Sequence, residues 1–93
     1  MTRFDIEKAT QMVIVLRQFL EVLRQDWQSV SIQWRNLEMT WHDKNRPHFE
    51  AVYQKLNADY AATETEVEHY IEFLLHQIRI AETASGLMNN LNP

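Results

Sequence analysis

From Ile6 to Trp41 the apolar positions fall at alternating steps of three and four: Ile6, Ala9, Val13, Leu16, Leu20, Leu23, Trp27, Val30, Trp34, Leu37 and Trp41. An unbroken heptad pattern of this length predicts a long helix that presses one seam onto a neighbour. Thr2 followed by Asp5 reads as a capping box with Asp in place of the usual Glu, which puts the helix over about residues 3–41. A second run opens after Pro47. At ~100° per residue, Phe49, Val52, Tyr53, Leu56, Tyr60, Thr63, Val67, Tyr70, Ile71, Leu74 and Ile78 share a stripe, with His69, Glu72 and His76 opposite. This predicts an amphipathic helix over 46–85. Gly86, in the left-handed conformation, is expected to end it, leaving 87–93 as a flexible tail beyond a 1–86 domain.

Between the two runs lies "HDKNRP". Pro47 suits the first turn of a helix, because its missing N–H costs nothing there. It also pushes Arg46 away from helical geometry. Asp43 and Asn45 can accept from the free N–H groups of the turn. Connections this short join antiparallel neighbours, so Trp41 and Phe49 should pack together over the bend. The fold class is therefore all-α, an antiparallel two-helix hairpin.

Two helices share only one seam, and this chain carries apolar side chains in excess of it. Met12, Val15, Phe19 and Val22 lie beside the seam of the first helix, and Phe73 and Ile80 lie off the stripe of the second. Antiparallel pairing gathers all six in the half away from the turn. A patch of that kind marks an association surface, and each large side chain buried contributes roughly 1.5–3 kcal/mol. The expected assembly is a dimer of hairpins forming a four-helix bundle, the second hairpin being a copy or a similar chain. The alternative cover is the chain's own tail.

Charge and composition narrow the partners. The net charge is −4, and residues 48–93 hold two basic groups against seven acidic ones. Such a surface repels phosphate, which argues against nucleic acid. With no Cys, disulfides and thiolate chemistry are excluded. The stretch "MTRFDIEKAT" has no apolar core and does not read as a signal peptide. No run is long and apolar enough to span a bilayer. The expected location is the cytoplasm, or outside the cell after export without a cleaved signal.

The segment "LEMTWHDKNRPHF" resembles the Trp-X-Gly (WXG) family, small helical hairpins that type VII secretion systems export as substrates or as adaptors for larger effectors. Leu37, Trp41 and Phe49 carry the resemblance, while Asp43 stands where the family has Gly. The resemblance implies a binding hairpin whose partner is a similar hairpin, an effector or a secretion component. It also implies a Tyr-x-x-x-Asp/Glu export signal late in the second helix. Tyr60 and Glu64 have that spacing, although they fall early in the helix and Tyr60 belongs to the apolar stripe.

Catalytic and metal chemistry find little support. Glu66 and His69 form a Glu-x-x-His pair of the di-iron type, but His69 points away from the stripe, and such ligands must face the bundle core. His69 and His76 lie on a solvated face, and His42 and His48 flank the turn without further ligands. No Gly-rich phosphate loop occurs, and Ser29, Ser31 and Ser85 lack His–acid partners. The sequence reading is thus a non-enzymatic protein-binding hairpin without cofactor. A coiled-coil assembly or regulatory subunit that stays in the cytosol is the alternative.

Overall fold

The computed structural model describes the backbone of residues 4–91 and side chains from 4 to 86. Two helices, α1 (Ile6–Thr40) and α2 (Arg46–Leu91), form an antiparallel hairpin. The Thr2 of the expected capping box lies outside the described residues. The cap is instead Asp5, with extended backbone and a side chain that accepts from the N–H of Lys8 at 3.0 Å. Satisfying one orphan N–H this way makes Ile6 the first helical residue. At the other end α1 stops one residue short of expectation, with Trp41 as its extended C-cap.

The turn departs from expectation at Arg46, which is the first residue of α2 rather than an extended one. Its N–H reaches the Asp43 carbonyl at 3.3 Å, and its guanidinium lies 3.4 Å from Glu38 Oε2. These contacts hold a residue before proline in helical geometry against its steric preference. Pro47 follows within the first turn, where no intrahelical N–H is needed. The carbonyl of Asn45 accepts from the N–H groups of His48 and Phe49.

Gly86 does not end α2. It has no positive φ, and the backbone stays helical to Leu91, so residues 87–91 belong to the helix rather than to a tail. A glycine lowers helix stability without forcing a stop, and no proline stands next to it. A Cβ added there meets nothing within 4 Å. Gly86→Ala is therefore expected to stabilise α2 by about 0.5–1 kcal/mol, read as increased helicity and a raised melting temperature. A left-handed cap would make the same change destabilising.

The helix interface has two unlike halves. Ala9, Val13 and Leu20 of α1 and Ile71, Leu74 and Ile78 of α2 form the buried core, flanked by Ile6, Leu16, Leu23, Val67 and Leu75. This half lies toward the start of α1. Toward the turn the seam is aromatic and only half-buried. Trp27 stacks on Tyr53 and Tyr60 with ring centroids 5.7 and 4.9 Å apart, and Trp34 stacks on Tyr53 at 4.9 Å. Trp41 then packs edgewise on Trp34 and at 4.8 Å on Phe49, closing the ladder over the bend as the sequence predicts.

Candidate functional site

The predicted seam includes Val30 and Leu37 on α1 and Phe49, Val52 and Leu56 on α2, yet all five are substantially exposed. Half-buried positions near the turn are Trp34, Trp41 and Tyr53 of the predicted seam, joined by Ser31 and Glu38 on α1 and Arg46 and Glu50 on α2. A helix of 3.6 residues per turn drifts ~20° per heptad against a strict seven-residue repeat. Over the length of α1 that drift carries Val30 and Leu37 out of the interface and turns Ser31 and Glu38 into it. The polar replacements find partners: Ser31 and Tyr53 hydroxyls share a hydrogen bond of 3.0 Å, and Glu38 meets Arg46.

The displaced side chains line a groove of about 550 Å³ beside the turn. Val30, Gln33, Trp34 and Leu37 form one wall, and Phe49, Val52, Tyr53 and Leu56 form the other. Its lining is nearly all apolar, with Ser29 and Gln33 at the edge. Sequence reasoning missed this groove because it assigned these residues to a strict seam. The available signal was the pair Ser31 and Glu38, polar residues placed where a drifting seam must pass.

The predicted interface residues lie only in part on the groove side of the hairpin. Met12, Val15, Phe19, Val22, Phe73 and Ile80 are all exposed. By the ~100° step, Met12 and Phe19 share the flank that carries Val30 and Leu37, and Tyr70 shares the flank that carries Val52. Val15, Val22 and Phe73 lie further round, and Ile80 is opposite the seam, beside His76, Arg79 and Thr83. In an antiparallel pair, equal rotations from the seam fall on the same side of the plane of the two helices. The groove and the part of the predicted patch formed by Met12 and Phe19, with Tyr70, are therefore two apolar stretches on one flank. The register of the stacked aromatics brings Phe19 level with Tyr70, and Val15 level with Phe73.

The opposite face carries the ion pairs between the helices, together with exposed Ile14, Ile32 and Met39. Arg24 joins two carboxylates of α2, with its Nε donating to Glu64 Oε2 at 2.8 Å and its Nη2 donating to Glu68 Oε1. The Tyr60 hydroxyl also donates to Glu64 Oε2, at 2.9 Å. Arg24 first and Tyr60 second hold the Glu64 carboxyl below the usual carboxylate range. Desolvation and then the Glu64 carboxylate push the Tyr60 phenol up. Tyr60 and Glu64 thus join the two helices, with the Tyr60 ring against Trp27.

At the turn, Asp43 does through its side chain what a glycine would do through its backbone. Its Oδ1 accepts from the Asn45 N–H at 2.8 Å, and no non-glycine residue among those described has positive φ. The Trp41 indole N–H and then the Asn45 N–H hold the Asp43 carboxyl below its ordinary range. The turn therefore has no conformational need for glycine at this position. Trp41, Asp43, Pro47 and Phe49 come together in one bend.

Among the described residues, no group of three or more His, Asp or Glu side chains is placed to hold a metal ion. No helix among them is long and apolar enough to cross a membrane. No family model matches the chain, and neither does any curated protein or solved structure searched.

Proposed function

We propose that this protein is a non-enzymatic binding module, a helical hairpin that offers one long apolar face to another helical protein. The observation that carries this reading is the concentration of large exposed side chains on one flank. Met12, Phe19, Val30, Leu37, Phe49, Leu56 and Tyr70 stand on one flank, with Phe73 further round. The Arg24 ion pairs lie on the other flank, with only Ile14, Ile32 and Met39 as exposed large apolar side chains among the described residues. Scattered exposed apolar residues are ordinary on a protein surface, but large apolar stretches gathered on one flank mark an interaction site. A second hairpin laid over this face completes a four-helix bundle.

Two roles fit such a module. The resemblance to the Trp-X-Gly family supplies the first, a substrate or effector adaptor of a type VII secretion system, supported by Trp41 packed on Phe49 at the turn. The second is an assembly or regulatory subunit that is not exported. Its support is the engagement of Tyr60 and Glu64 in the helix–helix contact, which is no place for a signal that another protein must read.

The test common to both is association. Phe19→Asp together with Phe73→Asp should abolish binding to a helical partner, or self-association at high concentration, as measured by light scattering. Helicity by circular dichroism should be unchanged, because both side chains are exposed. Association equal to that of the parent chain would remove this face from the binding surface.

A further inference from the structure

The apolar face is interrupted halfway along. On α1, the heptad steps that pass through Phe19 and Val22 reach Asp26 before Val30. On α2, the steps from Val52 and Leu56 reach Asp59, Thr63 and Glu66 before Tyr70. All four polar residues are exposed. The antiparallel register set by Trp27 on Tyr60 brings Asp26 to the level between Asp59 and Glu66. Three carboxylates therefore cross the face as a band, with apolar side chains on both sides of it.

Little offsets this charge from within the hairpin. Lys55 Nζ lies 3.8 Å from Asp59 Oδ2, with both side chains largely in solvent. Asp26 and Glu66 form no ion pair among the described residues. Arg24 is turned to the opposite face and committed to Glu64 and Glu68.

A partner that covers both apolar stretches must lie across this band. Two copies of the chain related by a two-fold axis place band on band, whether the hairpins run parallel or antiparallel, because the band sits near mid-length. A staggered pair avoids that clash only by leaving one apolar stretch uncovered. Like charges brought together at an interface select against the wrong partner, and complementary ones select for the right one. We propose that the face takes a helical chain other than a second copy, one with Lys or Arg at its mid-section between two apolar stretches. The carboxylate band then serves as the element that separates partner from self. This rests on the reading of the face as a docking surface.

The test uses the full chain and two variants whose changes are confined to exposed positions. The first, with Asp26→Lys, Asp59→Lys and Glu66→Lys, stands in for a basic partner. The second, with Asp26→Asn, Asp59→Asn and Glu66→Gln, removes the charge at nearly constant size. Sedimentation equilibrium of one fluorescently labelled chain with each of the others gives the affinities. The parent mixed with the Lys variant should associate about tenfold or more tighter than the parent with itself, and the preference should shrink in high salt. The neutral variant should self-associate about tenfold tighter than the parent. A parent that pairs with itself as tightly as with the Lys variant, and as tightly as the neutral variant does, overturns the selectivity of the band and leaves the docking face standing. No association in any mixture, the neutral variant included, overturns the docking face and this inference with it.

Discussion

Trp27→Ala should lower the stability of the hairpin by about 3 kcal/mol, toward the lower end for loss of a packed Trp because the ring is half-buried. This ring is the one that stacks on two tyrosines of α2, Tyr53 and Tyr60, and so spans a full heptad of the opposite helix. Removing it takes away both stacked contacts and leaves Tyr60 without the surface against which its hydroxyl is aimed at Glu64. For a domain of this size the loss corresponds to a melting temperature lower by roughly 12–24 °C. Leu37→Ala is the matched control. It belongs to the same sequence seam, yet its side chain is 47% exposed, and its loss should cost less than about 1 kcal/mol. Thermal denaturation followed by circular dichroism measures both. Equal effects at the two positions would mean that the seam runs straight and that Leu37 is buried against α2.

The contrast between Trp27 and Leu37 also shows how far the sequence alone can be read. The hairpin follows from periodicity and from one interruption, and the packing of Trp41 on Phe49 follows from the short connection. What periodicity could not settle was rotation. A strict heptad list treats Val30 and Leu37 as equivalent to Leu16 and Leu23, but a nearly straight helix carries them to the flank. The apolar groove near the turn is the consequence, and no single residue announces it. The exposure of Met12, Phe19 and Phe73 was legible because those residues already lie off the seam where the helices pack most closely. Helix ends were read less well. Asp5 rather than Thr2 caps α1, Arg46 is helical despite Pro47, and Gly86 does not terminate α2. Each turned on a local contact or on the absence of a competing cap, which residue type alone does not reveal.

Leu20→Asp should do more damage than any exposed substitution on the chain and leave it largely unfolded at room temperature. Leu20 is 4% exposed and stands in the small core with Val13, Ile71, Leu74 and Ile78. That core is confined to one half of the interface, and the aromatic half is only partly covered. A carboxylate placed there loses its water, and no buried polar or charged side chain among the described residues is there to receive it. The expected cost is above about 4 kcal/mol, a large share of the total stability of a domain this small. The informative comparison is the adjacent residue. Phe19→Asp introduces the same group one step along α1, about 100° round the helix, where the native side chain is 46% exposed. It should leave helicity intact and act on association alone. If both variants unfold, α1 is gripped on two sides within a single chain and the outer face is not free to bind. If both stay folded, Leu20 faces solvent and the helices are rotated relative to the packing described. Only the asymmetric outcome, unfolding at Leu20 and a folded chain at Phe19, is compatible with one face that holds the hairpin together and another that remains open to a partner.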